Sequence, residues 1–530
     1  MEKFRAILST KILHCIPRIL SLLDKNPYSK TYGSFDRKYW HYKIIDFSCG
    51  MQQELILPLA YVWKTDFPGN SYYNLPRIKD YLAGIFLYHG KCMHSDGSLD
   101  DYFPSERAFG ATAYALAALT ESALITGFCP SQAVESFERS GIFLAGYKEA
   151  GKLSNHLAIA ALALMNLSLL TGRNEWKNES EKLVNELLTK QHSEGWFYEY
   201  EGCDLGYQTV TIEFLSRIYQ KSALPLIMKM LSKNIEFLVN FIHPDGSLGG
   251  EYGSRNTYNF YPGGFAVLST QITTAAVILG YFFKGVENSS VSYLEDDGVF
   301  GHLLSSYITV LRCPESRISL PKTDYMPCLM QYFSGAGLFV GDAGILKIFG
   351  ASTKGGVYKV FKKDRLLNSD TGFTGKFNNG KIFYQNKPRA SICEIRDKGI
   401  MIKGNFYKYQ SKRLSRFQMI MLRVFSLLFG RLKIYSNIIR FSMQRLLILS
   451  RGKLDIVFVR NIELRDNEIM VTDEIFPGRK VSIDSLQRST DCVNMHVITS
   501  DAFQTANLLP WENVDPQGSD NSLKYQKRYS

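Results

Sequence analysis

Three loops of this sequence share one pattern, and each is followed by a long apolar segment. In chain order the loops read HSDGSLDDY from His94, HSEGWFYEY from His192 and HPDGSLGGEY from His243. The apolar segments begin near Phe109, His156, Tyr207 and Gly264. Their starts are separated by roughly fifty residues, which is the period of a two-helix unit. The sequence therefore predicts a domain built from repeated helical hairpins.

The two helices of each unit differ in composition. The segments AFGATAYALAALTESALITG and HLAIAALALMNLSLLTG are rich in Ala and Leu and nearly free of charge, so we expect them to be buried on all sides. The segment NESEKLVNELLTKQ carries charge on one face and is typical of an outer helix. This alternation predicts an α/α toroid, an incomplete barrel of helical hairpins. The repeated loops then lie on one rim, at the N-termini of the inner helices, and form a cleft.

The pattern changes after about residue 335. Segments such as GGVYKVFKK and DIVFVRNIEL alternate apolar and polar residues between turn residues, which predicts an antiparallel β-sandwich. A basic and apolar insertion, too broken by charge to span a bilayer, either contacts an anionic membrane surface or packs against the toroid. The predicted regions are an amphipathic N-terminal helix region at 1–40, the toroid and candidate catalytic domain at 41–334, the sandwich at 335–505 with its insertion at 412–453, and a polar tail at 506–530, disordered after Pro510.

Charge and cysteine usage restrict the partners and the compartment. The formal charge of +12 and the isoelectric point near 9.0 favour an anionic partner, and the absence of nucleic-acid motifs excludes nucleic acid. Nine cysteines without a CxxC pair predict neither a disulfide framework nor a metal site, and they favour a reducing compartment. The N-terminus lacks the features of a signal peptide. We therefore expect a cytoplasmic protein, with peripheral contact at the inner face of the membrane through 412–453 as one option.

The rim loops gather the side chains that could perform chemistry. One of them ends where an inner helix starts at Tyr207, and the helix dipole there favours a phenolate. The three loop histidines recur at the same place in each unit, so we interpret them as turn residues. A buried ring for Tyr207 and a helix cap for His156 stay open as alternatives. The candidate catalytic residues are Tyr207 and His156, and the candidate substrate-binding residues are Asn155, Trp196, Glu199, Glu201, Gln208, Glu251, Arg255 and Asn256.

The stretch EGWFYEYEGCDLGYQT resembles the heparinase II/III-like polysaccharide lyases, whose toroid has an acidic residue and Gly, then Glu, then Tyr-His, after an inner helix that opens with Asn. The resemblance implies that Asn155 neutralises a substrate carboxylate, that Tyr207 is catalytic and that Glu199 or Glu201 fills the acidic position. Two features depart from the family. Gln208 replaces its histidine, and the sandwich segment NSDTGFTGKFNNGKI offers Asp370 but no His-x-His-x-Asp signature.

The predicted function is β-elimination at a uronic acid of an acidic polysaccharide or oligosaccharide, in surface-polysaccharide metabolism. Elimination requires donors that neutralise the C5 carboxylate, here Asn155 and Arg255, and a base and an acid, here His156 and Tyr207. Neither a cofactor nor a metal is expected. Two alternatives remain. The first is a glycoside hydrolase with paired carboxylates, drawn from Glu199, Glu201, Asp100 and Glu251. The second is a non-catalytic glycan-binding or assembly protein at the membrane face.

Overall fold

The computed structural model describes most of the chain. The described residues are 1–147, 153–200, 202–291, 300–319, 328–387, 391–396, 398–409, 415–429, 452–478, 482–489, 508–515 and 522–530. Glu201, a candidate site residue, lies outside these ranges, as does most of the insertion at 412–453. The predicted order, with helices first and strands second, is confirmed.

The described residues contain fourteen α-helices and three short 3-10 helices. The α-helices are α1 (Glu2–Leu22), α2 (Arg37–Trp40), α3 (Ile56–Lys64), α4 (Pro76–Cys92), α5 (Phe109–Thr126), α6 (Ser131–Gly146), α7 (Ser154–Thr171), α8 (Asn174–Leu188), α9 (Leu205–Ser222), α10 (Pro225–Leu238), α11 (Gly263–Leu268), α12 (Thr273–Glu287), α13 (Phe300–Leu311) and α14 (Arg416–Phe429). The 3-10 helices are Gly50–Leu55, Val239–Phe241 and Ser352–Lys354.

Six of these helices pack in a closed circuit. In order, α3 packs on α5, α5 on α7, α7 on α9, α9 on α11, α11 on α13, and α13 returns to α3. Nearly every residue of α5 and α7 is buried, as their Ala-rich and uncharged sequences predict. Both helices end at a glycine, Gly127 and Gly172, with φ of 65° and 72°, a left-handed conformation that glycine adopts at little cost. We call these six the inner helices.

The N-terminal helix α1 is amphipathic and packs on the protein itself. Its buried side chains, Leu8, Ile12, Ile16 and Ile19, recur at helical spacing, and the helix contacts α3 and α13. Arg5 donates to the carbonyl oxygen of Leu311 at 3.0 Å, where α13 ends and carbonyls lack partners within the helix. The apolar face of α1 is therefore used inside the fold.

One described helix, α7, is long and apolar enough to cross a membrane, but most of it is buried among the other helices. Its apolar composition follows from its place in the circuit of inner helices.

The described strands form two antiparallel sheets. They are β1 (Leu329–Phe333), β2 (Leu338–Ala343), β3 (Leu346–Ala351), β4 (Val357–Lys362), β5 (Arg365–Asp370), β6 (Phe373–Phe377), β7 (Ile382–Tyr384), β8 (Ser391–Arg396), β9 (Gly399–Lys408), β10 (Lys453–Arg465), β11 (Glu468–Pro477), β12 (Ile483–Arg488), β13 (Glu512–Val514) and β14 (Leu523–Tyr529). The first sheet has the order β1-β2-β3-β4-β5. The second has the order β13-β12-β6-β7-β9-β10-β11-β14, with β8 also paired to β9.

The first sheet lies between the helices and the second sheet. Alternate side chains of β2, β3 and β4, among them Phe339, Ile348 and Tyr358, join a hydrophobic cluster with residues of the second sheet. Their neighbours on the other face, such as Phe349 and Phe361, belong to the hydrophobic core of the helical part. Because successive side chains of a strand point to opposite faces, the first sheet packs against a hydrophobic core on each of its two faces.

The expectation of a disordered tail after Pro510 was wrong for its last residues. Strand β14 pairs with β11 along its whole length, and its end residues Leu523 and Tyr529 are buried. The Tyr529 hydroxyl lies 2.8 Å from the Tyr358 hydroxyl in the core between the sheets. The sequence LKYQKRY is polar in composition, but alternate residues of it face the sheet core.

Four buried charges hold the second sheet to the first. Asp370 binds Arg460 at 3.2 Å and Arg488 at 2.5 Å, and Asp473 binds the same two arginines at 2.6 and 3.1 Å. Burial alone would raise the pKa of Asp370, but the two guanidinium groups outweigh it and lower that pKa below its ordinary value. Asp370 therefore belongs to a closed ion network.

Asp370→Asn should lower the free energy of unfolding by about 3–5 kcal/mol at neutral pH, because it leaves buried arginine charge without a partner. Since the folded-state pKa of Asp370 is depressed, the loss should persist down to the unfolded-state pKa of about 4 and shrink only as the pH falls further, towards the folded-state value. Guanidinium chloride denaturation measures both effects. The control is Arg465→Gln, which removes an exposed arginine paired with Glu463 and Glu468. Equal changes in the two variants would contradict the assignment.

Candidate active site

The N-terminal ends of the inner helices bring polar side chains to one region. Tyr114 of α5 stacks flat against His302 of α13, with ring centroids 4.2 Å apart, and meets His156 of α7 edge-on at 6.4 Å. The Tyr114 hydroxyl also donates to the amide oxygen of Asn155 at 3.3 Å. Burial raises the pKa of Tyr114, and the nearby Tyr207 and Glu199 raise it further. Helices far apart in sequence therefore share one cluster of tyrosines, histidines and carboxylates.

The centre of this region is a carboxylate held by three N–H donors. One oxygen of Glu199 accepts from the backbone N–H of Asn155 and from its side-chain amide, both at 3.0 Å. The other oxygen accepts from the same amide at 2.9 Å and from Arg255 Nη1 at 3.2 Å. Burial raises the pKa of Glu199, and Arg255 and Asn155 oppose that rise. We call these three residues the carboxylate cradle.

Arg255 lies between the carboxylate of Glu199 and the ring of Tyr207. Its guanidinium carbon is 3.6 Å from the centroid of the Tyr207 ring and 5.0 Å from that of Tyr200. Burial alone would lower the pKa of Arg255, but Tyr207 and Glu199 outweigh it and raise the pKa, so the side chain stays charged. Arg255 is only 4% exposed, and its Nε has no hydrogen-bond partner among the described residues. A buried donor without a partner points to a ligand.

Asp204 fixes Tyr207 and Arg255 relative to each other. It is the N-cap of α9, and its side chain accepts from the backbone N–H of Tyr207 at 3.2 Å. Its other oxygen accepts from the backbone N–H of Arg255 at 2.8 Å. One buried carboxylate therefore aligns the start of an inner helix with the loop that carries the arginine.

Two lysines of the first sheet hold the loop around Arg255. Lys354 donates to the carbonyl oxygens of Glu251 and Gly253, at 2.6 and 2.7 Å, and to the side-chain oxygen of Asn256. Lys359 binds the Glu251 carboxylate at 2.8 Å. Burial alone would raise the pKa of Glu251, but Lys359 outweighs it and lowers that pKa. Glu251 and Asn256, predicted to bind substrate, instead anchor the loop to the sheet.

Gln208 and Trp196 lie in the wall of the site. The Gln208 oxygen accepts from the Phe197 N–H and from Asn234, and its nitrogen donates to the Phe197 carbonyl, all within 3.0 Å. The Trp196 ring is buried against His192 and donates to Glu194 at 3.0 Å. Both side chains are buried and paired within the protein, and their part in substrate binding stays a prediction.

Sequence reasoning missed Glu54 and His302 and passed over Asp101. His302 of α13 contacts the carboxylate of Glu54, which lies in the 3-10 helix before α3. Asp101 accepts from the Cys49 thiol at 3.3 Å, and burial, with Glu54 nearby, raises its pKa to about 6. Both missed residues lie where inner helices begin, so the position that indicated Asn155 would also have indicated them. Within the described ranges, no three His, Cys, Asp or Glu side chains gather to hold a metal ion.

Comparison with known proteins shows similarity of fold. No protein family profile and no curated protein sequence matches the chain. A xanthan lyase from Paenibacillus is similar, with a TM-score of 0.56 and 10% identity, over 91% of this chain and 46% of that one. The chondroitin AC lyase of Streptomyces coelicolor A3, solved with chondroitin sulphate, has a TM-score of 0.52 and 10% identity, over 83% of this chain and 62% of that one. A mutant of the same lyase has a TM-score of 0.54 and 9% identity, over 92% of this chain and 68% of that one.

The fold is thus similar to that of polysaccharide lyases. The chain spans less than two thirds of the length of the xanthan lyase and of the complexed chondroitin lyase. At 9–10% identity the likeness concerns the arrangement of helices and sheets and carries over no residue of the site.

Two aspartates of the first rim loop should respond to pH with opposite signs. Burial raises the folded-state pKa of Asp101, so its charge destabilises the fold fully above about pH 6 and not at all below about pH 4. For Asp96, burial is outweighed by Ser98 and Arg107, which lower its pKa, so its charge stabilises the fold at neutral pH. Asp101→Asn should therefore raise the free energy of unfolding by about 2 kcal/mol at about pH 8, whereas Asp96→Asn should lower it.

Urea denaturation of both variants at about pH 4 and about pH 8 checks this pair. The gain in Asp101→Asn should fade at the lower pH. The loss in Asp96→Asn should largely remain there, because a lowered folded-state pKa keeps its stabilisation until the pH falls below the unfolded-state value of about 4. A stability loss in Asp101→Asn at the higher pH would contradict the assignment.

Proposed function

We propose that this protein is a lyase that cleaves an acidic polysaccharide or oligosaccharide by β-elimination at a uronic acid, within surface-polysaccharide metabolism. One observation carries the proposal: the buried guanidinium of Arg255 lies on the Tyr207 ring, holds one carboxylate and keeps its Nε donor without a partner among the described residues. Such a donor beside a phenol suits the carboxylate of a substrate.

The proposal extends to the fold. The closed circuit of inner helices supports an incomplete α/α toroid, and the hydrophobic cluster shared by the two sheets supports a β-sandwich. The likeness to the xanthan and chondroitin AC lyases agrees with both. A relation to the heparinase II/III-like lyases belongs to the same proposal, with Gln208 in place of their histidine. Asp370 lies in the segment where the family's sandwich signature was expected, and it forms ion pairs with two arginines.

The proposed reaction starts by neutralising the C5 carboxylate of the uronate. The Asn155 amide nitrogen donates to both oxygens of Glu199, so this residue already holds the side chain of Asn155. Arg255 Nε is the donor that is open to the substrate. A carboxylate bound there withdraws charge from C5 and makes the C5 proton acidic enough to remove. Glu199 then acts as a positioning residue that holds Arg255 and Asn155 together.

Tyr207 and His156 are the proposed proton carriers. The base takes the C5 proton, the electrons of that bond form the C4–C5 double bond, and the C4–O4 bond breaks as O4 receives a proton from the acid. The Arg255 guanidinium lies on the face of the Tyr207 ring, so the phenol stands beside the donor proposed for the substrate carboxylate, and Tyr207 is the proposed base. His156 borders the same cluster and is half-exposed, so it can exchange protons with solvent.

Hydrolysis is the second candidate, and Asp101 favours it. A carboxyl group with a pKa of about 6 can be protonated near neutral pH, as a general acid of a glycosidase must be. Three of the carboxylates first considered are occupied, since Glu199 binds Arg255, Asp100 accepts from His94 at 2.8 Å and Glu251 binds Lys359. Hydrolysis releases reducing ends without forming the unsaturated uronate, so the product distinguishes the two reactions.

Tyr207→Phe should reduce elimination by about 10²–10⁴-fold, because it removes the proposed base and leaves the ring under Arg255. The measurement is the ultraviolet absorbance of the unsaturated uronate, with xanthan, chondroitin sulphate, heparan sulphate and polygalacturonate as substrates. Tyr73→Phe, at an exposed tyrosine, is the matched control. Full activity in Tyr207→Phe would remove Tyr207 from the mechanism. Reducing ends without unsaturated product would favour hydrolysis.

Arg255→Lys should lower kcat/KM by about 10²-fold or more, because lysine keeps the charge but lacks the planar group and the Nε donor. Arg173→Lys, at an exposed arginine paired with Glu138 and Glu175, is the control. Unchanged kinetics in Arg255→Lys would exclude the proposed carboxylate contact.

A further inference from the structure

Helix α14 turns its apolar side towards solvent. Eight large apolar side chains of this helix are exposed, with Phe417 71% and Leu427 73% exposed. Six of the eight recur at helical spacing, and they are Phe417, Ile420, Met421, Val424, Leu427 and Leu428. Exposed apolar residues that form a continuous stripe are uncommon on soluble proteins and mark a contact surface.

The side of the same helix that faces the protein is mixed, with Leu422, Arg423 and Phe425 partly buried and Ser426 buried. Arg423 pairs with Asp46 at 2.6 Å, and its guanidinium lies 5.8 Å from the Phe47 ring. Ser426, one turn along, is the buried residue of the helix. A helix of a soluble protein normally buries its apolar stripe and exposes its charges. Helix α14 instead leaves an apolar stripe that the described residues do not cover.

The loop that receives Arg423 extends the exposed apolar area. Ile44 is 69% exposed, and Tyr42 is also exposed, with the Arg37 guanidinium 5.3 Å from its ring. Tyrosine beside basic residues is typical of the membrane interface. We name this area, made of Tyr42, Ile44 and the six exposed residues of α14 that recur at helical spacing, the α14 surface.

Charge decides which partner fits the α14 surface. The sequence from 412 to 453 has no Asp or Glu, and its basic residues are Lys412, Arg413, Arg416, Arg423, Arg431, Lys433, Arg440, Arg445, Arg451 and Lys453. A second copy would bring the same basic segment against itself, and the whole chain already carries a charge of +12. An anionic lipid surface accepts both the apolar side chains and the cations.

We infer that the α14 surface docks on an anionic phospholipid membrane. The exposed apolar side chains enter the boundary between headgroups and acyl chains, while the basic residues of the segment attract the negative surface. The candidate active site contributes no residue to this contact. The inference is therefore independent of the proposed reaction.

The test is sedimentation of the full-length protein with unilamellar vesicles of phosphatidylcholine alone, or with about one quarter phosphatidylglycerol. We expect binding to the anionic vesicles that weakens as salt is raised. Leu427→Asp/Leu428→Asp should lower the partition coefficient at least about tenfold, because it removes two inserted side chains and adds negative charge. Ile142→Asp/Leu169→Asp, at exposed apolar positions of α6 and α7, is the matched control and should leave binding unchanged. Thermal unfolding by circular dichroism checks that both variants fold.

Three results would overturn the inference. The first is no binding of the wild type to anionic vesicles, and the second is equal binding to both kinds of vesicle. The third is a concentration-dependent dimer in solution that Leu427→Asp/Leu428→Asp abolishes, which would assign the surface to a second copy of the chain.

Discussion

The burial of the Arg255 guanidinium is the constraint on which the site depends. A charge that is 4% exposed needs a partner of opposite charge and polar contacts around it. Glu199 supplies the charge, Tyr207 supplies the ring face, and Asp204 holds the backbone of the arginine. All three partners lie between Glu199 and Tyr207, so the arginine ties the rim loop before α9 and the start of that helix to its own loop. The Nε of this buried side chain has no hydrogen-bond partner among the described residues.

The helices and the sheets contribute different things to this site. The inner helices bring their N-terminal ends together, where Asn155, Tyr207 and His302 lie on one side of the circuit. The first sheet contributes no proposed catalytic group. Its two buried lysines, Lys354 and Lys359, hold the loop that presents Arg255. A site on the helices is thus positioned by contacts from the sheet, which explains why the two parts share a buried interface.

Several residues of the candidate site could be predicted from the sequence, but the contacts that they make could not. Asn155 and Tyr207 stand where inner helices begin and Glu199 lies in the rim loop before α9, and these positions are readable from the repeat. The protein contacts of Gln208, Glu251 and Asn256 could not be predicted from the sequence. Their partners, Asn234, Lys359 and Lys354, lie far away along the chain. Glu54 and His302 were missed because they are single polar residues next to apolar runs.

The sequence by itself determined the order of helices and strands, the burial of α5 and α7 and the location of the rim. These follow from local composition and from the period of the repeat, which depend only on neighbours along the chain. Tertiary structure alone decided which carboxylate is held by Arg255, which lysines face the rim loops and that Leu523–Tyr529 completes a sheet. Those outcomes depend on which buried charges and strand edges meet in space, and the pairing of distant residues is not encoded in any local pattern.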